Sequence, residues 1–245
     1  MALILPEDEP FAEPPLHGYR GDEPADSDTQ PRGLTVALSR EAGARGTTIA
    51  HKLGVLLGWQ VFDQEMLDYL LVNESGRAQL TSELSEGARA WVESRYRELQ
   101  RERGLKYDLE TDGLIQLVLA VAARGDAVIV GRGAGFLLPT ETTLHVRIVA
   151  SFDSRVNYLA QTLRLTHEEA AAEVRTRDDR RARYLSRRLL CNPNDATAYD
   201  LVVNSGRLGI EGTAQFIGWA VRTKQQFADL VGPPSAAGID DFVGS

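Results

Sequence analysis

The sequence predicts an α/β fold of three layers, a parallel sheet flanked by helices. Two observations predict it. Short apolar runs alternate with stretches of helical period from residue 34 to about 230. The polar or Gly-rich segments at 39–48, at Asp63, at 131–135 and at 204–207 each directly follow one of those runs. Helices between strands imply parallel pairing, and in such sheets ligands collect beyond the carboxyl ends of the strands. The segments are therefore expected to converge in space.

The elements follow in order. LTVALS (34–39) is a buried strand running into a Gly-rich loop, and TIAHKLGVLLGW (48–59) spaces Ile49, Leu53, Leu56 and Leu57 as a helix with Gly58 as its cap. VF (61–62) is a very short strand ending at Asp63. Helices are expected over roughly 64–73, 84–103 and 113–125, the last closed by a glycine. AVIVG (127–131) and TTLHVRIVA (142–150) are strands, and 152–163 and 166–190 are helical. YDLVVN (199–204) is the last strand and 209–230 the last helix. Trp59, Trp91 and Trp219 are expected to pack in the core or against the helices at 74–110.

The flanks read differently. Residues 1–32 hold six of the ten prolines and few bulky apolar groups, a composition expected to be a disordered acidic tail. Residues 232–245 read as a flexible C-terminal tail. Of the net charge of −8, residues 1–33 carry −6 and the last thirteen −2, so the segment between is near neutral. That balance makes general nucleic-acid binding unlikely as a class, while leaving room for a local phosphate site. The single cysteine, Cys191, excludes an intrachain disulfide, and no apolar run reaches the roughly 18–20 residues of a membrane span. A cytoplasmic protein is the expectation.

The chemistry concentrates in four places. S-R-E-A-G-A-R-G-T-T (39–48) between a strand and a helix has the layout of a phosphate loop: glycines turn backbone N–H groups inward, and the helix start adds unpaired donors and partial positive charge. Gly43, Gly46, Thr47 and Thr48 suit that role. The complete pattern ends in Gly-Lys-Ser/Thr, but this loop has no lysine, leaving Arg45 or Arg40 to reach the phosphates. Gly131-Arg132-Gly133 puts a guanidinium at a strand end, and Asp63 a carboxylate beside the loop, suited to a Mg²⁺ shell or a substrate hydroxyl. RTRDDRRARYLSRR (175–188) holds seven arginines; Arg177 and Arg181 share a helix face, and Asp179 is placed to pair with Arg183 at i, i+4. Dense arginine suggests forked donors for phosphate. Taken singly, each of these could be a ligand-free turn or a solvated charged face. No two histidines have metal-ligand spacing.

Together these blocks resemble the cytidylate kinase-like family of P-loop proteins. The similar segments are LTVALSREAGARGTTIAHKLGVLLGWQVFDQEML, VIVGRGAGFLL (128–138), EVRTRDDRRARYL (173–185) and YDLVVNSGRLGIEGTAQFI (199–217), in the family's order and spanning nearly all of 34–225. The resemblance implies a P-loop NMP-kinase fold over 33–231, with a helical substrate-binding insert at about 74–110 and a mobile Arg-rich lid at about 164–192. It implies transfer of the γ-phosphoryl group from ATP, with Mg²⁺, to a nucleoside monophosphate such as CMP or dCMP. It implies that Gly43, Ala44, Gly46, Thr47 and Thr48 hold the ATP phosphates with Arg40 and Arg45, that Asp63 and Arg132 face the acceptor, and that Thr47 and Asp63 neighbour the metal. Arg177, Arg181 and Arg183 become lid arginines oriented by Asp179, and the loop after Asn204 borders the adenine. Two other readings stand beside this one: a nucleotide sensor on the same fold without turnover, and an RNA or protein interaction module using the Arg-rich segment.

Overall fold

The computed structural model describes residues 33–103 and 109–231. The two expected tails and the end of the expected insert lie outside them. The described residues form one five-stranded, all-parallel sheet: β1 (Thr35–Arg40), β2 (Gln60–Phe62), β3 (Ala127–Val130), β4 (Thr143–Val149) and β5 (Leu201–Asn204), in the order β2-β3-β1-β4-β5. The central strand β1 pairs with β3 on one side and β4 on the other, so its Val36, Ala37 and Leu38 are almost fully buried. That is why 34–39 reads as a continuous apolar run rather than an alternating one.

Helices cover both faces. On one, α1 (Gly46–Leu57) and α9 (Ser205–Val231) pack Ile49, Leu53, Ile217 and Val221 against Val36, Val146 and Ile148. On the other, α2 (Gln64–Val72), α4 (Glu86–Arg103), α5 (Leu109–Arg124) and the short α6 (Ala134–Leu137) pack against Ala37 and Ile129. A third, smaller core joins α7 (Phe152–Leu163) to α8 (His167–Arg188) and takes in Ala42 from the loop after β1. Helix α8 starts on a capping box: the Thr166 hydroxyl accepts the Glu169 N–H, and the Glu169 carboxylate accepts the Thr166 N–H at 2.8 Å.

Several expectations shift. The first helix begins at Gly46, two residues early, because Arg45 takes a left-handed conformation (φ 59°) and turns the chain directly into the helix. A separate helix α3 (Glu74–Ser82) precedes α4; Asn73 caps it by accepting the Gly76 N–H at 2.8 Å. The last helix begins at Ser205 rather than 209, with a break at Gly209 (φ 69°, ψ −179°), so no loop follows Asn204. Trp59 and Trp91 pack against the two main cores, but Trp219 is about half exposed (51%), since the inward face of α9 runs through Ala214, Ile217 and Val221. Among the described residues no helix is long and apolar enough to cross a membrane.

Candidate active site

The loop that leaves β1 is held from three directions. The Ala42 N–H donates to Asp178 of α8 at 2.7 Å, and its carbonyl accepts from Arg155 Nη1 at 3.2 Å. The Ala44 carbonyl accepts from the Ser205 hydroxyl at 2.9 Å. Gly43 (φ 80°) lies so close to the Arg155 backbone that a Cβ there would sit 2.6 Å from its carbonyl oxygen. The first helical bond of α1 runs from Ile49 N–H to Arg45 O at 3.0 Å, so the preceding amides of Gly46, Thr47 and Thr48 open the helix with no side-chain cap from Arg45, and both threonines are exposed. Uncapped amides at a helix start, beside a turn of left-handed residues, are an anion-binding arrangement.

Beside this loop, the arginine that ends β1 occupies a slot. Arg40 runs between Gly46 and Gly131; a Cβ at Gly46 would approach its stem at 2.8 Å, and one at Gly131 would overlap its guanidinium. Gly131, Arg132 and Gly133 are all left-handed (φ 81°, 53° and 75°), which lifts the Arg132 side chain from the end of β3 toward the same place. Burial, with Arg181 and Arg132 beside it, lowers the pKa of Arg40 to about 10, against the opposing pull of Asp63. The guanidinium remains charged at neutral pH. Arg132 pairs with Asp68 of α2, yet its Nε is buried without a hydrogen-bond partner. Nη1 of Arg181 is buried without one too, 3.7 Å from the nearest Asp178 oxygen. These groups line a cavity of about 440 Å³ between the strand ends and α8, which Ser39, Arg147, Asn194 and Tyr199 also border. Unpaired buried guanidinium nitrogens are costly in a protein without an anion to meet them.

The model of the family described as cytidylate kinase-like matches residues 35–207, which contain every residue of this cavity. The chain belongs to the cytidylate kinase-like family. A curated cytidylate kinase from Methanothrix thermoacetophila (strain DSM 6194 / JCM 14653 / NBRC 101360 / PT) is 31% identical over 162 residues, covering 60% of this chain and 92% of that protein. Among solved structures, an uncharacterized protein from Eubacterium ventriosum ATCC 27560 superposes with a TM-score of 0.55 at 16% identity, covering 78% of this chain and 99% of the other, a likeness of fold alone. Membership in the family supports a nucleotide kinase, a phosphotransferase in the general sense.

Within this cytidylate kinase-like chain the expected site residues separate into groups. Arg40, Arg132 and Arg181 meet at the cavity, with Asp63 close enough to Arg40 to act on its charge. Asp63 also caps α2 by accepting the Met66 N–H at 3.0 Å, and meets His51 Nε2 at 3.2 Å. Arg45 is exposed and stacks on the Tyr158 ring of α7, 4.9 Å from its centroid, outside the cavity lining. Gly43, Ala44, Thr47 and Thr48 form the loop and helix start next to it. Arg177 shares a face with Arg181 but is held by Glu173 at 2.6 Å. Arg183 is exposed, and its Nε donates to the Asp179 carbonyl oxygen rather than to its carboxylate. Asp178, one residue earlier, contacts Ala42 and Arg155, while Asp179 is exposed and lines the cavity. Asn204 accepts the Gly206 N–H at 3.0 Å, turning β5 straight into α9.

Sequence reasoning missed the residues that build this frame. Arg155 is 8% exposed and donates to Ala42 O, Ala150 O and Asp178, with Glu41 3.4 Å away. A signal existed: Phe152, Arg155, Val156 and Leu159 have inward helical spacing, so an arginine lies on the buried face of α7. Ser205, bonded to both Ala44 O and Val149 O, left no such trace.

Proposed function

We propose that this protein transfers the γ-phosphoryl group of ATP to a nucleoside monophosphate, CMP or dCMP. The observation that carries the reading is the meeting of Arg40, Arg132 and Arg181 at one cavity beside an uncapped helix start, with buried nitrogens of two of them unpartnered. Phosphoryl transfer asks mainly for positioning and for cations around the transferring group. Forked guanidinium donors supply both, and the curated relative at 31% identity is a cytidylate kinase.

The residues present fit Mg-ATP. The amides of Gly46, Thr47 and Thr48 would hold its phosphates, and the exposed Thr47 hydroxyl would meet the ion carried by them, with Asp63 nearby. Among the described residues no cluster of three His, Cys, Asp or Glu could hold a metal by itself, which suits an ion delivered with the nucleotide. When bound, Mg-ATP supplies the phosphoryl group and neutralises its charge. Arg40 takes the place of the missing loop lysine as the fixed cation at the end of β1, and Arg181 and Arg132 grip the acceptor phosphate. Helix α8, latched through Asp178, shields the cavity from water.

A coupled assay of ADP release over a panel of nucleoside monophosphates tests the reading. CMP- or dCMP-dependent turnover is expected, and folded protein with no acceptor-dependent turnover overturns it. The position of Arg45, stacked on Tyr158, favours one second reading, nucleotide binding without turnover. Calorimetry separates the two, since that reading expects nucleotide binding and no ADP release.

A further inference from the structure

Helix α9 carries two apolar stripes, and the sheet uses one of them. Ala214, Ile217 and Val221 are buried in the core. The second stripe runs through Phe216, Trp219, Thr223 and Phe227, three and four residues apart and so on one side of the helix. Its three aromatic side chains are 44%, 51% and 61% exposed. Alongside lies β5, the last strand of the sheet, which pairs with β4 on one side only. The stripe forms a groove of about 440 Å³ with Leu144 and Leu201 of the two strands, and Lys224 holds Asp200 at its rim at 3.2 Å. Single exposed apolar residues are ordinary, but three aromatics lining one groove mark a surface that binds something. The groove shares no lining residue with the active-site cavity, so phosphate binding does not account for it.

We propose that residues 232–245 of the same chain turn back onto this groove and seat Ile239, Phe242 and Val243 against Phe216, Trp219 and Phe227. Position supports this occupant. Helix α9 ends at Val231, one turn beyond Phe227. Along the axis, Phe227 lies about 6 Å and Phe216 about 22 Å behind that end, at about 1.5 Å per residue. Pro233 and Pro234 cannot continue the helix, so the chain is released to reverse. From Gly232 to Ile239 it spans up to about 26 Å, enough for Ile239 to reach any point of the stripe. Composition supports it too: Ile239, Phe242 and Val243 are the bulky apolar residues of a segment otherwise made of Gly, Pro, Ala, Ser and Asp. The apolar cluster of the other flank, Leu3 to Leu5, is tethered through a much longer stretch ending at Gly33. Loop-closure entropy rises with that length, which favours the C-terminal segment. A second copy of the chain loses translational freedom on docking, whereas a short tether holds the segment at high effective concentration.

Trp219 reports on the groove. Tryptophan emission and its quenching by acrylamide are measured on the full chain as wild type, Phe242→Asp, Ile239→Asp and Leu5→Asp, with Trp219→Phe to assign the share of Trp219. The wild type is expected to shield Trp219 to the same degree at every protein concentration. Phe242→Asp should shift the emission to the red and raise the quenching, and Ile239→Asp should do the same, while Leu5→Asp changes neither. Trp219 quenched equally in the wild type, Phe242→Asp and Ile239→Asp overturns the proposal, because the segment then does not cover it. Shielding lost on dilution, with a dimer seen in sedimentation, assigns the groove to a second copy and overturns it. Shielding lost in Leu5→Asp instead assigns the groove to the N-terminal flank, which overturns it as well.

Discussion

The Asp178 carboxylate on α8 accepts the backbone N–H of Ala42, in the loop after β1, at 2.7 Å, and its second oxygen takes Nη1 of Arg155 at 2.6 Å. One side chain thus ties the proposed lid to the loop after β1 and neutralises an arginine that is otherwise buried. Asp178→Ala leaves the Arg155 charge without its shortest partner. Since Glu41 remains 3.4 Å away and Asp178 is itself partly exposed, the cost expected is about 1–3 kcal/mol, below that of breaking a fully buried pair. Urea denaturation measures it, and faster proteolysis within α8 should accompany it.

Arg40 and Arg181 are expected to act on affinity more than on folding. Arg181→Ala should weaken CMP binding about 10- to 100-fold, the range for one charge-assisted hydrogen bond, with the denaturation midpoint little moved. Arg40→Lys keeps the charge and loses the fork, so it should weaken nucleotide binding as well. Gly131→Ala tests the slot rather than the cation: it places a methyl on the Arg40 guanidinium at a φ of 81°, so it should displace the arginine and cost about 1 kcal/mol or more of stability besides. Calorimetry with CMP and ATP, beside denaturation curves, checks all three.

Arg45 lies on the loop yet outside the cavity lining. Arg45→Ala is expected to raise the KM for ATP several-fold while leaving that for the acceptor unchanged. Because the stack on Tyr158 is exposed, stability should change by less than about 1 kcal/mol. Steady-state kinetics with each substrate varied in turn decides it, and an unchanged ATP KM removes Arg45 from the site.

His145 gives the protein a pH-dependent stability. Its pKa falls from 6.5 to about 4 on folding, through burial. Between those values the unfolded chain binds a proton that the folded chain refuses, so stability is full above about pH 6.5 and is lost as pH falls toward 4. Thermal midpoints from pH 4 to 7 should drop through this window, and His145→Phe should flatten the drop.

Much of the fold was legible because the parallel sheet writes itself as apolar runs: AVIV of β3 is buried at all four positions, and the helices between have strong period. The convergence of Arg40 and Arg132 followed from the rule that strand ends share an edge, whereas Arg181, on α8, was expected there from the family resemblance. What escaped depends on single-residue rotation. Asp178 and Asp179 are adjacent and chemically identical, and only the contacts of α8 with α7 decide which one faces Ala42. The break at Gly209 escaped because glycine inside a helical pattern signals several things at once, and Trp219 because an aromatic next to an inward face looks like part of it. Arg45 stands close to where a loop lysine would, but its left-handed backbone sends the side chain to Tyr158.

The slot between Gly46 and Gly131 has one more consequence. A lysine on a flexible stem could lose its proton when buried, but the cations bordering this cavity, among the described residues, are all arginines. The positive side of the site therefore has no titration of its own across the physiological range. Any pH dependence of nucleotide affinity near neutrality should belong to the ligand, whose phosphate gains its second charge near pH 6, so the protein reads the ionisation of its substrate against a constant background.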